Sequence, residues 1–218
     1  MPDPEASPQP VAKPNRRARR SSMELRELIL ASARAEFQYA GYSGATTAAI
    51  ARGAGVTETQ LFRMFQSKAA LFRAAVFEPL DDAFAVFNDA RFRLIEPGKH
   101  NSLPDTQAYI ADLMAFIEAN REMLVPLLAA QLVDGGQVEG VAGVGGLRTY
   151  FDLGSAHLAH NTRDLSKQRS DTIVRVSFAA VLAVVLFRDW LFPSNDGDEA
   201  AMSAALADFF VNGLGVSR

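Results

Sequence analysis

The sequence predicts an all-α protein of about nine or more helices, a small N-terminal unit followed by a larger C-terminal one. Three observations predict it. Apolar residues recur three and four apart through segment after segment, and no segment alternates as a strand would. Gly, Pro, Asn and Asp gather at the breaks, as at Pro97-Gly98, Pro104 and Pro193 with Asn195-Asp196-Gly197. Finally, 49% of the 218 residues are hydrophobic, ample for a continuous core.

Charge separates the two units. The net charge is −3, but residues 1–78 carry 11 Lys/Arg against 7 Asp/Glu and residues 79–218 carry 11 against 18. Such asymmetry is expected where only the N-terminal part meets a polyanion. The chain has no cysteine, which excludes a disulfide framework, a thiolate zinc site and a cysteine nucleophile. No apolar segment near Met1 has the form of a secretory signal. The longest uncharged apolar stretch, Val176 to Phe187, has 12 residues, and a bilayer span needs roughly 18 to 20. A soluble protein of the reducing cytoplasm, without membrane contact, is the expectation.

Residues 1–20 combine Pro2, Pro4, Pro8, Pro10 and Pro14 with Lys13, Arg16, Arg17, Arg19 and Arg20, the pattern of a flexible basic arm. Ser21-Ser22-Met23-Glu24 has the form of a capping box, and Leu25, Leu28, Ile29, Ala33 and Phe37 follow at helical spacing until Gly41. That is a helix over about 22–40. Two short helices follow at about 46–53 and 57–64, and Ser67 caps a fourth through Leu71, Phe72, Ala75 and Val76, which Pro79 kinks or ends. Further helices are expected at about 81–95, 105–119, 121–133, 147–160, 169–192 and 198–213. Six of the twelve residues from Gly135 to Gly146 are glycine, without the order of a phosphate loop, and read as a flexible interhelical loop.

The informative stretch runs from Thr46 to Phe65. Two helices crossing steeply need a small residue at the crossing, supplied by Ala51, and a turn that tolerates positive φ, supplied by Gly55. Ile50, Val56, Leu61 and Phe65 then face inward. Thr57, Glu58, Thr59, Gln60, Phe62 and Arg63 are left on the N-terminal and outer surface of the second helix, the part of a helix-turn-helix that enters the DNA major groove. There Gln60 can pair with adenine N6/N7 and Glu58 can accept from cytosine N4.

Over about residues 25–78 the sequence resembles the tetracycline-repressor (TetR) family of bacterial regulators. The resemblance lies in Ile29 to Phe37, Gly41-Tyr42, Thr46-Thr47, Ile50-Ala51, Ala54-Gly55-Val56, Leu61-Phe62, Phe65 and Ser67-Lys68-Ala69-Ala70-Leu71. It implies a DNA-binding domain at 21–78 in which Thr46, Thr47 and Lys68 contact phosphates and Thr57 to Gln60 read bases. Two departures stand out: Phe62 where many members have Tyr, and Met64 where many have His. Backbone affinity then rests more on Lys68, Arg63 and the arm, with Arg16, Arg17, Arg19 and Arg20.

The resemblance further implies that residues 79–218 form an effector-binding and dimerisation domain. Phe84, Phe87, Tyr109, Met114, Phe116, Met123, Tyr150 and Phe151 are candidates to line a pocket for a largely apolar effector, with Arg121, Arg148 or Tyr150 orienting a polar group. Phe92 belongs to the same aromatic supply. Val181, Val185, Ala201, Ala204, Ala205 and Phe209, on the last two long helices, are candidates for a homodimer interface, as in the TetR-like four-helix bundle. Such a dimer would hold a palindromic operator and act as a repressor. No catalytic set is legible: neither a GxSxG elbow nor an HExxH helix occurs, and no cofactor is expected. His157 and His160, with Asp152 and Asp164 nearby, leave a metal-binding helical protein open, and a structural helical oligomer whose arm holds nucleic acid nonspecifically is the other alternative.

Overall fold

The computed structural model describes residues 21–92, 103–133, 144–162, 165–193 and 198–213. The basic arm, most of the glycine-rich segment and Asp164 lie outside the described residues. Every regular element described is helical: α1 Ser22–Gly44, α2 Thr47–Ala54, α3 Glu58–Met64, α4 Lys68–Phe72, α5 Glu78–Phe92, α6 Leu103–Ala119, α7 Arg121–Val133, α8 Gly145–Asn161, α9 Lys167–Leu186, α10 Arg188–Leu191 and α11 Glu199–Asp208.

α1 starts where its capping box does, with Glu24 N–H donating to Ser21 Oγ at 3.1 Å and Ser21 N–H to Glu24 Oε2 at 2.8 Å. Its regular part ends at Gly41, whose φ of 69° breaks the helical path one turn before Gly44. Ile29, Leu30, Ala33 and Phe37 form its buried stripe, whereas Leu28, expected to join them, is exposed on the opposite side of the same turn. Between α4 and α5 the chain runs without a break through a π-helical turn, Arg73–Phe77. This wider turn stands directly before Pro79, which has no N–H to give and whose ring would crowd the carbonyl four residues back.

One core runs through head and body. In the head, the rings of Phe37, Tyr42 and Phe72 meet edge-on or stacked at centroid distances of 4.9 to 6.1 Å, over Ile29, Ile50, Leu61 and Leu71. Ala75 and Val76 carry the core into the body, where Phe84, Ile110, Leu113, Ile117, Tyr150 and Phe178 are buried. α1 packs on α2 and α4 at one side and on α7 at the other, so the head sits directly on the body.

Two expected boundaries move. α8 begins at Gly145, so Gly145 and Gly146 belong to a helix and not to the preceding loop. The reason is close packing: a Cβ on Gly146 would lie 2.6 Å from Phe84 Cβ and 2.8 Å from the Asp81 carbonyl, and Gly146 N–H donates to Asp81 Oδ1 at 2.6 Å. The single helix expected over about 169–192 is two, because Phe187 (φ −106°, ψ 19°) leaves the helical region and α10 starts in a new direction.

Candidate functional site

The helix-turn-helix is assembled by capping. Thr46 Oγ1 accepts from Ala49 N–H at 3.1 Å and starts α2. A hydroxyl that accepts in this way keeps its own O–H to donate outward. Ala51 is buried at the crossing, and Gly55 takes φ 68° and ψ 36° to turn the chain into α3. Ser32 Oγ of α1 donates to the Ile50 carbonyl at 2.9 Å and presses against Gly53, fixing α2 on α1.

α3 begins with a second capping box. Thr57 N–H donates to Gln60 Oε1 at 2.9 Å, and Gln60 N–H donates to Thr57 Oγ1 at 3.2 Å. Glu58 Oε1 accepts from the Thr47 hydroxyl at 2.7 Å, tying α3 to α2. Thr57, Glu58, Thr59 and Gln60 are exposed together with Phe62 and Arg63, while Leu61 and Phe65 face the core and Val56 is half-buried. The structure thus leaves Thr57, Glu58, Thr59 and Gln60, the residues expected to read bases, together in the open, with three of those side chains oriented by bonds within the head.

Lys68 is placed elsewhere. Its ammonium donates to the carbonyls of Tyr42 at 2.9 Å, Ala45 at 3.2 Å and Ser43 at 3.4 Å, and lies 4.7 Å from the centre of the Tyr42 ring. Lys68 thus ties the start of α4 to the turn that follows Gly41. A phosphate contact, as the resemblance implies, would have to compete with this cradle.

The aromatic residues proposed for an effector pocket form a packed cluster. Phe84 and Tyr150 are fully buried and Met114 nearly so; Phe87, Phe116, Phe151 and Tyr109 are half-buried around them, with ring centroids 4.7 to 6.4 Å apart. The Tyr109 and Tyr150 hydroxyls are hydrogen-bonded to each other. Burial pushes the Tyr109 phenol up to about 12, and burial followed by the neighbouring Tyr109 holds Tyr150 well above the usual range, so both are neutral donors at physiological pH. Arg121 is no part of this cluster: it donates to the carbonyls of Val185 and Leu186, both at 3.3 Å, and closes the end of α9. Arg148 is exposed, and Met123 is half-buried against the core.

Sequence reasoning missed three polar residues here. Asn88, 4% exposed, donates from Nδ2 to the Gly146 carbonyl at 2.8 Å. Asp81 receives the Gly146 N–H, and Arg91 lies 4.9 Å over the Tyr109 ring with NH1 3.2 Å from Asp112 Oδ2. The signal was present in the buried stripe of α5, Leu80, Phe84 and Asn88, where an amide falls on the apolar face.

Val181 and Val185 are not available for a dimer. They continue the buried stripe Ser170, Phe178, Val181, Val185 of α9 inside the monomer core. The outward face of α9 and α10 instead carries Val176, Phe187, Trp190 and Leu191, exposed at 51%, 55%, 79% and 44%. Ala201, Ala205 and Phe209 are exposed at four-residue spacing along the last helix, with Ala204 half-buried beside them.

His157 is half-buried with Asn161 Nδ2 at 3.1 Å from its ring nitrogens, and burial, then the neighbouring His160 and Arg91, lower its pKa below 6.5. Among the described residues no group of three or more His, Asp or Glu is placed to hold a metal ion. No described helix is long and apolar enough to cross a membrane.

Residues 29–75, from the α1 stripe through the helix-turn-helix into the π-helical turn, match the family profile of bacterial regulatory proteins of the tetR family. Solved structures share the architecture. PfmR from Thermus thermophilus, a TetR family transcriptional regulator, is 14% identical with a TM-score of 0.62 over 85% of this chain and 98% of its own. A TetR-like transcriptional regulator from a Rhodococcus species is 20% identical with a TM-score of 0.65, over 90% and 99%. The transcriptional regulator FadR from Bacillus subtilis, solved in complex with stearoyl-CoA, is 14% identical with a TM-score of 0.60, over 86% and 98%. No curated protein sequence matches the chain. The head carries the segment that this profile describes, and the chain as a whole shares its fold with these solved regulators.

Proposed function

We propose that this protein is a transcription regulator of the TetR family: a homodimeric, non-catalytic repressor of the cytoplasm that holds a palindromic operator and releases it when a small, largely apolar effector enters the C-terminal domain. Residues 21–78 are the reading head, with the arm of residues 1–20 adding phosphate contacts through Arg16, Arg17, Arg19 and Arg20, and residues 79–218 bind effector and partner. The observation that carries the reading is the open face of α3, where Thr59, Gln60, Phe62 and Arg63 stand exposed beside a capped helix start. Thr46 and Thr47 flank it at the start of α2.

Two further features support the reading. The apolar surface of Val176, Phe187, Trp190, Leu191 and Phe209 is more than single scattered residues, and it lies on the elements farthest along the chain from the head. An isologous contact there leaves both α3 helices free and sets a two-fold site. The packing of α1 on α7 provides the route by which rearrangement of the body moves the head.

Selection of random double-stranded DNA by the full chain tests this. An enriched inverted repeat bound by two chains is the expected result. Retention of all fragments alike would favour the alternative of a helical oligomer that holds nucleic acid nonspecifically.

A further inference from the structure

We propose that Arg91, Tyr109 and Tyr150 form the seat for the head of an apolar ligand carrying one carboxylate, a conclusion that rests on the effector reading above. α5 places Asn88 and Arg91 one turn apart against α8 and α6, within a shell of aromatic rings. Three polar atoms in this part of the body are buried without a hydrogen-bond partner among the described residues: Asn88 Oδ1, Arg91 Nε and Ser155 Oγ. Orphaned buried groups are costly and are explained by a role other than packing.

The chemistry of the seat selects the head. Arg91 gives NH1 to Asp112, which is exposed and solvated, and its Nε edge remains. A guanidinium edge offers two parallel donors that match the two oxygens of a carboxylate. The Tyr109 and Tyr150 hydroxyls, bonded to each other, use one O–H in that bond and keep the other to donate to an anion. A second cation, Arg175, lies 4.4 Å over the Phe151 ring on the same aromatic wall. A cationic ligand is disfavoured by both arginines, and a ligand with no acceptor leaves Nε as it is. The half-buried rings of Phe87, Phe116 and Phe151 receive the apolar body.

Calorimetric titration of the full chain with dodecanoate, 2-naphthoate and the matching alcohols tests the seat. At least one acid should bind about 10-fold or more tightly than its alcohol, the magnitude of a charge-assisted hydrogen bond. Arg91→Gln should bring that ratio to about one. Asp112→Asn, a change at an exposed side chain that leaves folding intact, should raise acid affinity several-fold and leave the alcohol unchanged; it decides the matter if Arg91→Gln does not fold. The proposal is overturned if neither acid binds at millimolar concentration, if acid and alcohol bind alike, or if a folded variant leaves the ratio as in the wild type. Acid preference with unaltered operator affinity would keep the seat and remove the effector reading. Operator release by the alcohols without acid preference would do the reverse.

Discussion

The head and the body handle their polar groups in opposite ways. In the head, Thr46, Thr57 and Gln60 are exposed, bound to partners three residues away, and define helix starts. In the body, Asn88, Tyr109 and Tyr150 are enclosed, and their partners come from helices distant in sequence. Short-range capping is recorded by a linear pattern, whereas long-range convergence is not.

This difference can be pressed at several points, the largest effect first. The apolar outer face should be a subunit contact, so Trp190→Asp or Ala205→Arg, both at exposed positions, should yield monomers in sedimentation. Affinity for an inverted repeat should then drop by about 10²- to 10⁴-fold, the avidity lost when two heads are no longer linked. Variants that stay dimeric would move the interface elsewhere.

In the body, Gly146→Ala forces a Cβ into Phe84 and the Asp81 carbonyl, a cost of about 1–3 kcal/mol, with a melting temperature lower by about 2–4 °C per kcal/mol. Gly145→Ala, whose nearest neighbour would be Asp81 Oδ1 at 3.4 Å, serves as the mild control. Equal melting curves for the two would show that α8 does not depend on this approach to α5.

At the joint of head and α4, Lys68→Met should destabilise the protein by about 1–3 kcal/mol, since three carbonyls lose a charged donor. The slope of log affinity against log salt should stay unchanged. A slope reduced by about one with an unaltered melting temperature would make Lys68 a phosphate contact after all. The smallest effect is at His157, whose pKa is below 6.5 in the fold: on acidification from pH 6.5 the unfolded chain takes up the proton first, and stability falls. His157→Gln should flatten that dependence of melting temperature on pH, and identical pH profiles would exclude His157 as a source.

How much was legible follows the same division. The capping boxes at Ser21 and Thr57 and the turn at Gly55 are local, so helix starts and the crossing of α2 and α3 were readable from residue types three or four apart. The role of Lys68 was not, because its partners at Tyr42, Ser43 and Ala45 are more than twenty residues away. Apolar runs identified α9 as buried, but a run apolar on every side does not say which face meets its own core. Val181 and Val185 turned inward while Val176 and Phe187 turned out. Arg121, a candidate to orient a polar group of an effector, donates instead to carbonyls at the end of α9 that lie more than sixty residues away in sequence.

Repeating the DNA selection with Gln60→Glu tests whether the exposed start of α3 reads bases. The carboxylate keeps an acceptor for the Thr57 N–H and so preserves the capping box, but it loses the amide N–H₂ that pairs with adenine N7. The expected result is an unchanged melting temperature and an inverted repeat altered at one symmetric position per half-site, with specific affinity weaker by about 1–3 kcal/mol. An enriched sequence identical to that of the wild type, bound with the same affinity, would contradict it.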